Sequence, residues 1–409
     1  MMRGASKTSA LPLHDVKVLE LGHIVSGPTA GQILADLGAE VIKVEPLSGD
    51  QARQMPGPTA AMFGFLNRNK QSIALDLKGG GKAVFLRLAR DADIVVDNFA
   101  YGAAERLGIG YERLVGTNRG LIWLSIKGFL PGPLQELPML DELAQMMGGL
   151  AYMTGPPGRP MRAGASVIDV GAATYGVIAV LAALRARDAE DGEGQYITAG
   201  LFETSVYWVG QWMAAAQYSG ETSVPISEIQ QGTRMGWGVY RLFAAADGQE
   251  IFIGIVSNAH FERFCEAFGL QELLSDERFH DNAARAAARP VLNERIEGVI
   301  GAMDSAEVLG RLEAAKVPFA PLRRPDELAA ERQLAESGQL VEAEFPGART
   351  GRVPKLPFRA SGFDMTSRSP APSLGADSRR ILAASGYGAE EIERLIAEGA
   401  VGVPEEGAR

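Results

Sequence analysis

The tightest constraint on how this chain folds lies in its first forty-five residues. VKVLEL at 16–21 is short and β-branched, PTAGQILADLG at 28–38 has helical spacing through Ile33, Leu34 and Leu37 with Gly38 as a stop, and EVIKVE at 40–45 reads as a second strand. A βαβ unit and a parallel sheet follow. ADIVVDN at 92–98 and LIWLSI at 121–126 are further strand candidates with plausible helices beside them, including GKAVFLRLARDA at 81–92. The pattern is α/β, with ligands expected beyond the carboxyl ends of the strands.

A chain of 409 residues exceeds the usual size of one core, so two domains are expected. With 40 Lys and Arg against 50 Asp and Glu, the net charge of −10 opposes a general role on nucleic acid or anionic membrane. A local basic pocket for a phosphorylated ligand stays open. The single Cys265 excludes an intramolecular disulfide and a thiolate metal cluster, and His14, His23, His260 and His280 offer no close ligand pair, so no metal is expected. The start MMRGASKTSALPLHD lacks the apolar core of a signal peptide, and no segment runs to eighteen charge-free apolar residues. A cytoplasmic protein is expected.

The run VGAATYGVIAVLAALRAR after Asp169 places Val177, Val180, Leu181 and Leu184 on one helical stripe. QYITAGLFETSVYWVGQWMAAA then passes from a strand into a second apolar helix, which makes 165–216 the most buried-looking part of the core. ETSVPISEIQQGTRMG at 221–236 breaks the helical pattern. Beyond it, Asp247 and Gly248 between two strand-like runs signal a hairpin, and FERFCEAFGL, VLNERIEGVIGAM and AEVLGRLEAAKV are amphipathic. These features divide the chain into a large α/β domain over 1–220, a small α+β domain with its linker over 221–330, and a Pro- and Gly-rich arm over 331–409 that ends in the helix GAEEIERLIAEG.

Two loops carry the chemistry. HIVSGP at 23–28 joins the first strand to its helix, and its Gly and Pro suit a tight turn with amides pointing outward. It lacks the GxGxxG spacing of a dinucleotide site, and the chain has no GxxxxGK followed by Ser or Thr. In ASVIDVGAATYG at 165–176, Asp169 stands at the entry to the apolar helix. It is either an N-cap, worth about 0.5 to 2 kcal/mol, a reactive carboxylate, or both.

LADLGAEVIKVEPLSGD, LNRNKQSIALDL, DIVVDNF, LIWLSIKGF, IDVGAATYG and GEGQYITAGLFET, in that order and spacing, resemble the family III CoA transferases, also called the CaiB/BaiF family. The resemblance implies an open-ring subunit, its large nucleotide-fold (Rossmann-type) domain joined to a small domain by two long linkers, within an interlocked homodimer. It also implies that Asp169 is the nucleophile. A carboxylate attacks an acyl-CoA to give a mixed anhydride and CoA thiolate, the thiolate returns to give an aspartyl-CoA thioester, and a free carboxylic acid then takes the CoA. An ordinary carboxylate, with a pKa near ~3.9, needs no activation for this. CoA is then a substrate and not a resident cofactor. Its contacts are expected at Val25, Ser26, Asn98, Phe99, Arg106, Lys127 and Leu140, with Phe99 either stacking on adenine or filling core.

Some positions depart from the family. Val25 stands where formyl-CoA:oxalate members carry a Gln, and it cannot donate a hydrogen bond. SLGADS at 373–378 lacks the His often found after its Gly, and there is no glycine run after residue 221. Val25 and the missing glycine run argue against oxalate as the acceptor. Leu140 stands where racemases of the family carry a His and oxalate transferases a Tyr; a racemase would need Asp141 or Glu142 as the second base. The expected activity is CoA transfer from an acyl-CoA to a carboxylic acid, with α-methylacyl-CoA racemisation and an inactive CoA-binding protein as alternatives. Arg162 and Arg234 are candidates to hold the distal carboxylate of a dicarboxylate; Met235, Trp237 and Tyr240 would instead suit a larger apolar acid.

Overall fold

The computed structural model describes residues 10–189, 192–231, 236–345, 347 and 349–404. The chain forms two compact units, one of residues 1–150, 163–211 and 331–409 and the other of residues 151–162 and 212–330.

The first unit is built on a parallel sheet of β1 (Lys17–Glu20), β2 (Glu40–Glu45), β3 (Lys70–Leu75), β4 (Ile94–Asp97), β5 (Ile122–Lys127) and β6 (Tyr196–Gly200). The strand order runs 3-2-1-4-5-6, so the direction of winding reverses between β1 and β4. At such a reversal the loops after neighbouring strands part and leave a crevice. β3 is absent from the predicted set. Its KQSIAL reads as polar because Lys70 and Ser72 are buried with partners on neighbouring elements.

Helix α1 (Ser26–Asp36) crosses from β1 to β2, and α2 (Gly81–Leu88) leads from β3 toward β4. The short α3 (Ala103–Leu107) follows β4, and α4 (Asp141–Met147) follows β5. Helix α5 (Val167–Ala189) packs on α1, β5 and β6 through Ile168, Ala172, Ala173, Gly176, Val177, Val180 and Leu184. By length and composition α5 could cross a membrane, but this face is core. Its other side exposes Val170, Tyr175, Ile178 and Leu181. α6 (Leu201–Trp208) follows β6, and the next helix, Gly210–Ser219, buries none of its residues. The expectation that 165–216 is the most buried part of the core is therefore corrected for its second half: apolar composition here marks a surface as well as a core.

In the second unit β7 (Val239–Ala244) and β8 (Glu250–Ile255) form the hairpin expected at Asp247–Gly248, and Gly248 takes the left-handed φ of 83° that such a turn requires. β9 (Phe319–Pro321) adds an antiparallel third strand. Helices α7 (Asn258–Phe268), α8 (Arg289–Ile300) and α9 (Ser305–Ala314) cover the sheet with Phe261, Phe264, Phe268, Leu292, Ile296, Val308 and Leu312. The chain then returns to the first unit as the hairpin of β10 (Leu340–Phe345) and β11 (Arg349–Pro354), helix α10 (Ala389–Ala397), and β12 (Val401–Gly402), which pairs antiparallel with β3 at the sheet edge.

Candidate active site

Asp169 is the third residue of α5, inside the first turn and not at the cap. The capping function belongs to another helix. Asp141, the buried first residue of α4, accepts the backbone N–H of Ile168 at 2.7 Å and of Asp169 at 3.1 Å through one carboxylate oxygen. Its other oxygen accepts from Gln145 Nε2 at 2.5 Å, and Gln145 Oε1 accepts from Ala163 N at 2.8 Å. The N-cap reading of Asp169 is thus corrected: two orphan amides of α5 are satisfied from outside the helix. The Asp169 carboxyl is left for chemistry.

That carboxyl is not an ordinary one. Burial first, and the negative Asp141 second, push it up from 3.8 to about 7; hydrogen bonding from the Ser26 hydroxyl opposes the shift, and Glu142 adds to it. The expectation of an unperturbed carboxylate is corrected accordingly, and at neutral pH the group is about half ionised.

The loop after β1 brings Ser26 to this place. Gly22 and Gly27 close the turn on each other: a Cβ on Gly22 would lie 2.6 Å from the Gly27 Cα, and one on Gly27 2.5 Å from the Gly22 Cα. Between them Ile24 has a φ of 62°, a conformation that costs a β-branched residue about 1–3 kcal/mol. Its N–H donates to Asp50 Oδ1 at 3.1 Å. Lys43, fully buried, donates to Glu20 Oε1 and to the Gly22 carbonyl, each at 2.9 Å, and pairs with Asp50 Oδ2 at 2.8 Å, so its ammonium holds this loop and its supports. From the other side Asn98 accepts from His23 N at 2.9 Å and donates to His23 O at 2.9 Å and Ser26 Oγ at 3.1 Å.

Beside the loop, at the carboxyl ends of β1, β2 and β3, lies a cavity of about 560 Å³. Its walls include Leu21, His23, Leu47, Asp50, Lys78 and Phe99. The Phe99 and His23 rings stack with centroids 6.3 Å apart. Phe99 also packs against the core under β1 and β4, as the core-filling alternative has it, and lines the cavity as well.

The remaining predicted residues divide. Val25 is the buried N-cap of α1. Asn98 commits its side-chain amide to the loop. The Lys127 ammonium donates to Asp97 Oδ1 and to the Phe99 carbonyl, each at 2.7 Å, and the residue lines a separate cavity with Tyr101 and Tyr196. It braces Phe99 instead of facing the larger cavity. Arg106 is exposed on α3, where it donates to the Tyr101 carbonyl at 3.1 Å. Leu140 is exposed at the N-cap of α4. Arg162 belongs to the second unit and is exposed, whereas Arg234 and Met235 lie outside the described residues. Trp237 and Tyr240 are partly exposed in the second unit. Sequence reasoning weighed Asp141 only as a proton base; its signal as a structural anion is the buried Gln four residues on, one helical turn away.

A family model described as CoA-transferase family III matches residues 13–378. A succinate–glutarate CoA-transferase of Agrobacterium fabrum is 32% identical over 91% of this chain and 95% of its own length. An acetyl-CoA:oxalate CoA-transferase of Acetobacter aceti is 33% identical over 91% of this chain and 96% of its own. The crystal structure of a CaiB/BaiF family protein from Brucella suis superposes with a TM-score of 0.82 at 31% identity, covering 92% of this chain and all of that one.

Proposed function

The chain belongs to CoA-transferase family III, and from that premise we propose that Asp169 carries CoA from an acyl-CoA to a free dicarboxylic acid as an aspartyl thioester. The observation that carries the reading is the Asp169 carboxyl, freed from capping by Asp141 and made more basic by its surroundings. A dicarboxylate acceptor is supported by relatives named for succinate, glutarate and oxalate. The oxalate relative weighs against the expectation, drawn from Val25 and the missing glycine run, that oxalate is disfavoured.

In the first half-reaction an ionised Asp169 oxygen attacks the thioester carbon, the C–S bond breaks, and CoA leaves as thiolate. In the mixed anhydride the thiolate has two carbonyls to attack. Attack on the Asp169 carbon expels the donor acid; attack on the donor carbon expels Asp169 and returns to the start. The less basic carboxylate leaves more readily, so the raised basicity of Asp169 favours the enzyme thioester. The second half-reaction repeats these bonds in reverse with the acceptor acid, and no net proton moves. The cavity beside His23 and Phe99 suits the adenosine end of CoA, with Lys78 within it and Arg106 nearby on α3 for phosphate.

A racemase needs a second base at the α-carbon. Asp141 already accepts two amides and a side-chain N–H, which favours transfer over racemisation. A homodimer belongs to the same reading, supported by the apolar face of α5 at Val170, Tyr175, Ile178 and Leu181 and by exposed Tyr207 and Trp208 on α6.

The test is intact mass measurement after mixing the protein with succinyl-CoA, followed by peptide mapping. A covalent CoA adduct on the peptide holding Asp169, discharged by adding glutarate, is the expected result. CoA binding without any adduct would leave a binding protein in place of the enzyme.

A further inference from the structure

Phe99 stands just past the end of β4, in chain that belongs to no strand or helix, so no ladder holds its backbone. Partly buried backbone groups in such a place need partners from side chains. Here both partners come from one ion pair. The Phe99 N–H donates to Asp97 Oδ1 at 2.9 Å, and the Phe99 carbonyl accepts from Lys127 Nζ at 2.7 Å, while Lys127 Nζ also donates to Asp97 Oδ1 at 2.7 Å. These three bonds close a ring around a residue whose side chain lines the larger cavity.

Strand register fixes the pair itself. Asp97 is the last residue of β4 and lies opposite Ser125 on β5. Side chains alternate along a strand, so Ile122, Leu124 and Ile126 enter the core shared with α5 while Trp123, Ser125 and Lys127 leave the other face of β5. All three of the latter meet Asp97. Lys127 takes the first carboxylate oxygen, and the second accepts from Trp123 Nε1 at 2.6 Å and from Ser125 Oγ at 2.7 Å. With two donors on each oxygen, the carboxylate has no open acceptor site to turn toward. Asp97, Trp123 and Ser125 are at most 1% exposed, and the Lys127 side chain is 10% exposed. On the other side of the Phe99 ring stands His23, whose own N–H and carbonyl are both held by Asn98. Each ring of the stack thus has its backbone pinned by separate side chains.

We propose that Asp97 and Lys127 are positioning residues for CoA binding, which hold the Phe99 backbone so that its ring is a preformed wall of the cavity, and which act on the ligand through Phe99 alone. The proposal rests on the reading of this cavity as the seat of the adenosine end of CoA. It gives Lys127 a different part from that of a cation paired with a phosphate. A wall in place before the ligand arrives removes an ordering cost from binding, and a Phe99 free to turn away restores that cost.

The experiment is a double-mutant cycle read by calorimetry, with CoA as the ligand and pantetheine, which lacks the adenosine end, as the control. Lys127→Met is expected to weaken CoA binding about fivefold and pantetheine binding less than about twofold. Phe99→Ala should weaken CoA about tenfold. Because Lys127 acts through Phe99, the double variant should lose no more than Phe99→Ala alone, again about tenfold. Losses that multiply to about fiftyfold would overturn the proposal and make Lys127 an independent contact. Unchanged CoA affinity in Lys127→Met, or equal weakening of CoA and pantetheine, would overturn it as well. A wild-type protein that binds CoA no more tightly than pantetheine would instead remove the adenosine reading of the cavity, and the proposal with it. Should Lys127→Met not fold, Lys127→Gln, which leaves Asp97 a neutral donor, carries the same cycle with the same outcomes.

Discussion

Asp141→Asn tests the electrostatics of the site most directly. Asp141 has two separable tasks, holding two amides of α5 and opposing the charge on Asp169. The substitution keeps an amide oxygen for Ile168 N and Asp169 N but removes the negative charge. Raising Asp169 from 3.8 to about 7 corresponds to about 4 kcal/mol of disfavoured ionisation. Burial is the larger cause and Asp141 the second, so losing Asp141's charge should return about one unit of pKa. At pH 6 about one wild-type carboxyl in eleven is ionised, against about half in the variant, so loading by succinyl-CoA should speed up about fivefold. At pH 8.5 both proteins are ionised and the rates should converge. Stability pays for this: Gln145 Nε2 now faces an amide nitrogen, and the unmet donors should lower unfolding free energy by about 1–3 kcal/mol. The assay is the pH dependence of single-turnover loading. An inflection that stays in place, or moves to higher pH, would refute the assignment of Asp141 as the opposing charge.

Asp169→Asn should abolish turnover and stabilise the fold in a pH-dependent way. A carboxyl whose folded pKa is raised binds more protons folded than unfolded between pH 3.8 and about 7, so its penalty grows across that window and is complete above it. The gain in urea unfolding should be near zero at pH 4 and reach up to about 4 kcal/mol at pH 8. Lys43→Met leaves buried Glu20 and Asp50 without their shared cation and should lower stability by about 3–5 kcal/mol, measured by denaturant titration. Phe99→Ala removes one wall of the cavity and should weaken CoA binding about tenfold by calorimetry while leaving the loaded thioester's discharge rate intact. Ile178→Glu places a charge on the apolar face of α5 and should yield a monomer in analytical ultracentrifugation; an unchanged mass would move the interface elsewhere.

The local order of the chain was legible because its causes are local. VKVLEL, GQILADLG and EVIKVE carry their own periodicity, and strand, helix and strand in forty-five residues lead to parallel pairing. The hairpin at Asp247–Gly248 and the helix ending the chain were legible for the same reason. β3 was not, because its polar residues are satisfied only by partners brought from elsewhere, Lys70 by Glu20 and Ser72 by Glu45. The site divides in the same manner. Asp169 could be singled out by its position before an apolar helix and by family resemblance, but its state could not.

Sequence alone therefore determined that this protein has a parallel α/β sheet, a family III CoA-transferase pattern, and a carboxylate at the mouth of an apolar helix. Only tertiary structure decided that Asp141 caps that helix, and that burial and the neighbouring Asp141 push the Asp169 carboxyl up to about 7. Periodicity and turn chemistry act between neighbours in the chain and can be read along it. A pKa depends on burial and on charges that folding brings together, here from α4 onto α5, and no stretch of sequence contains them both.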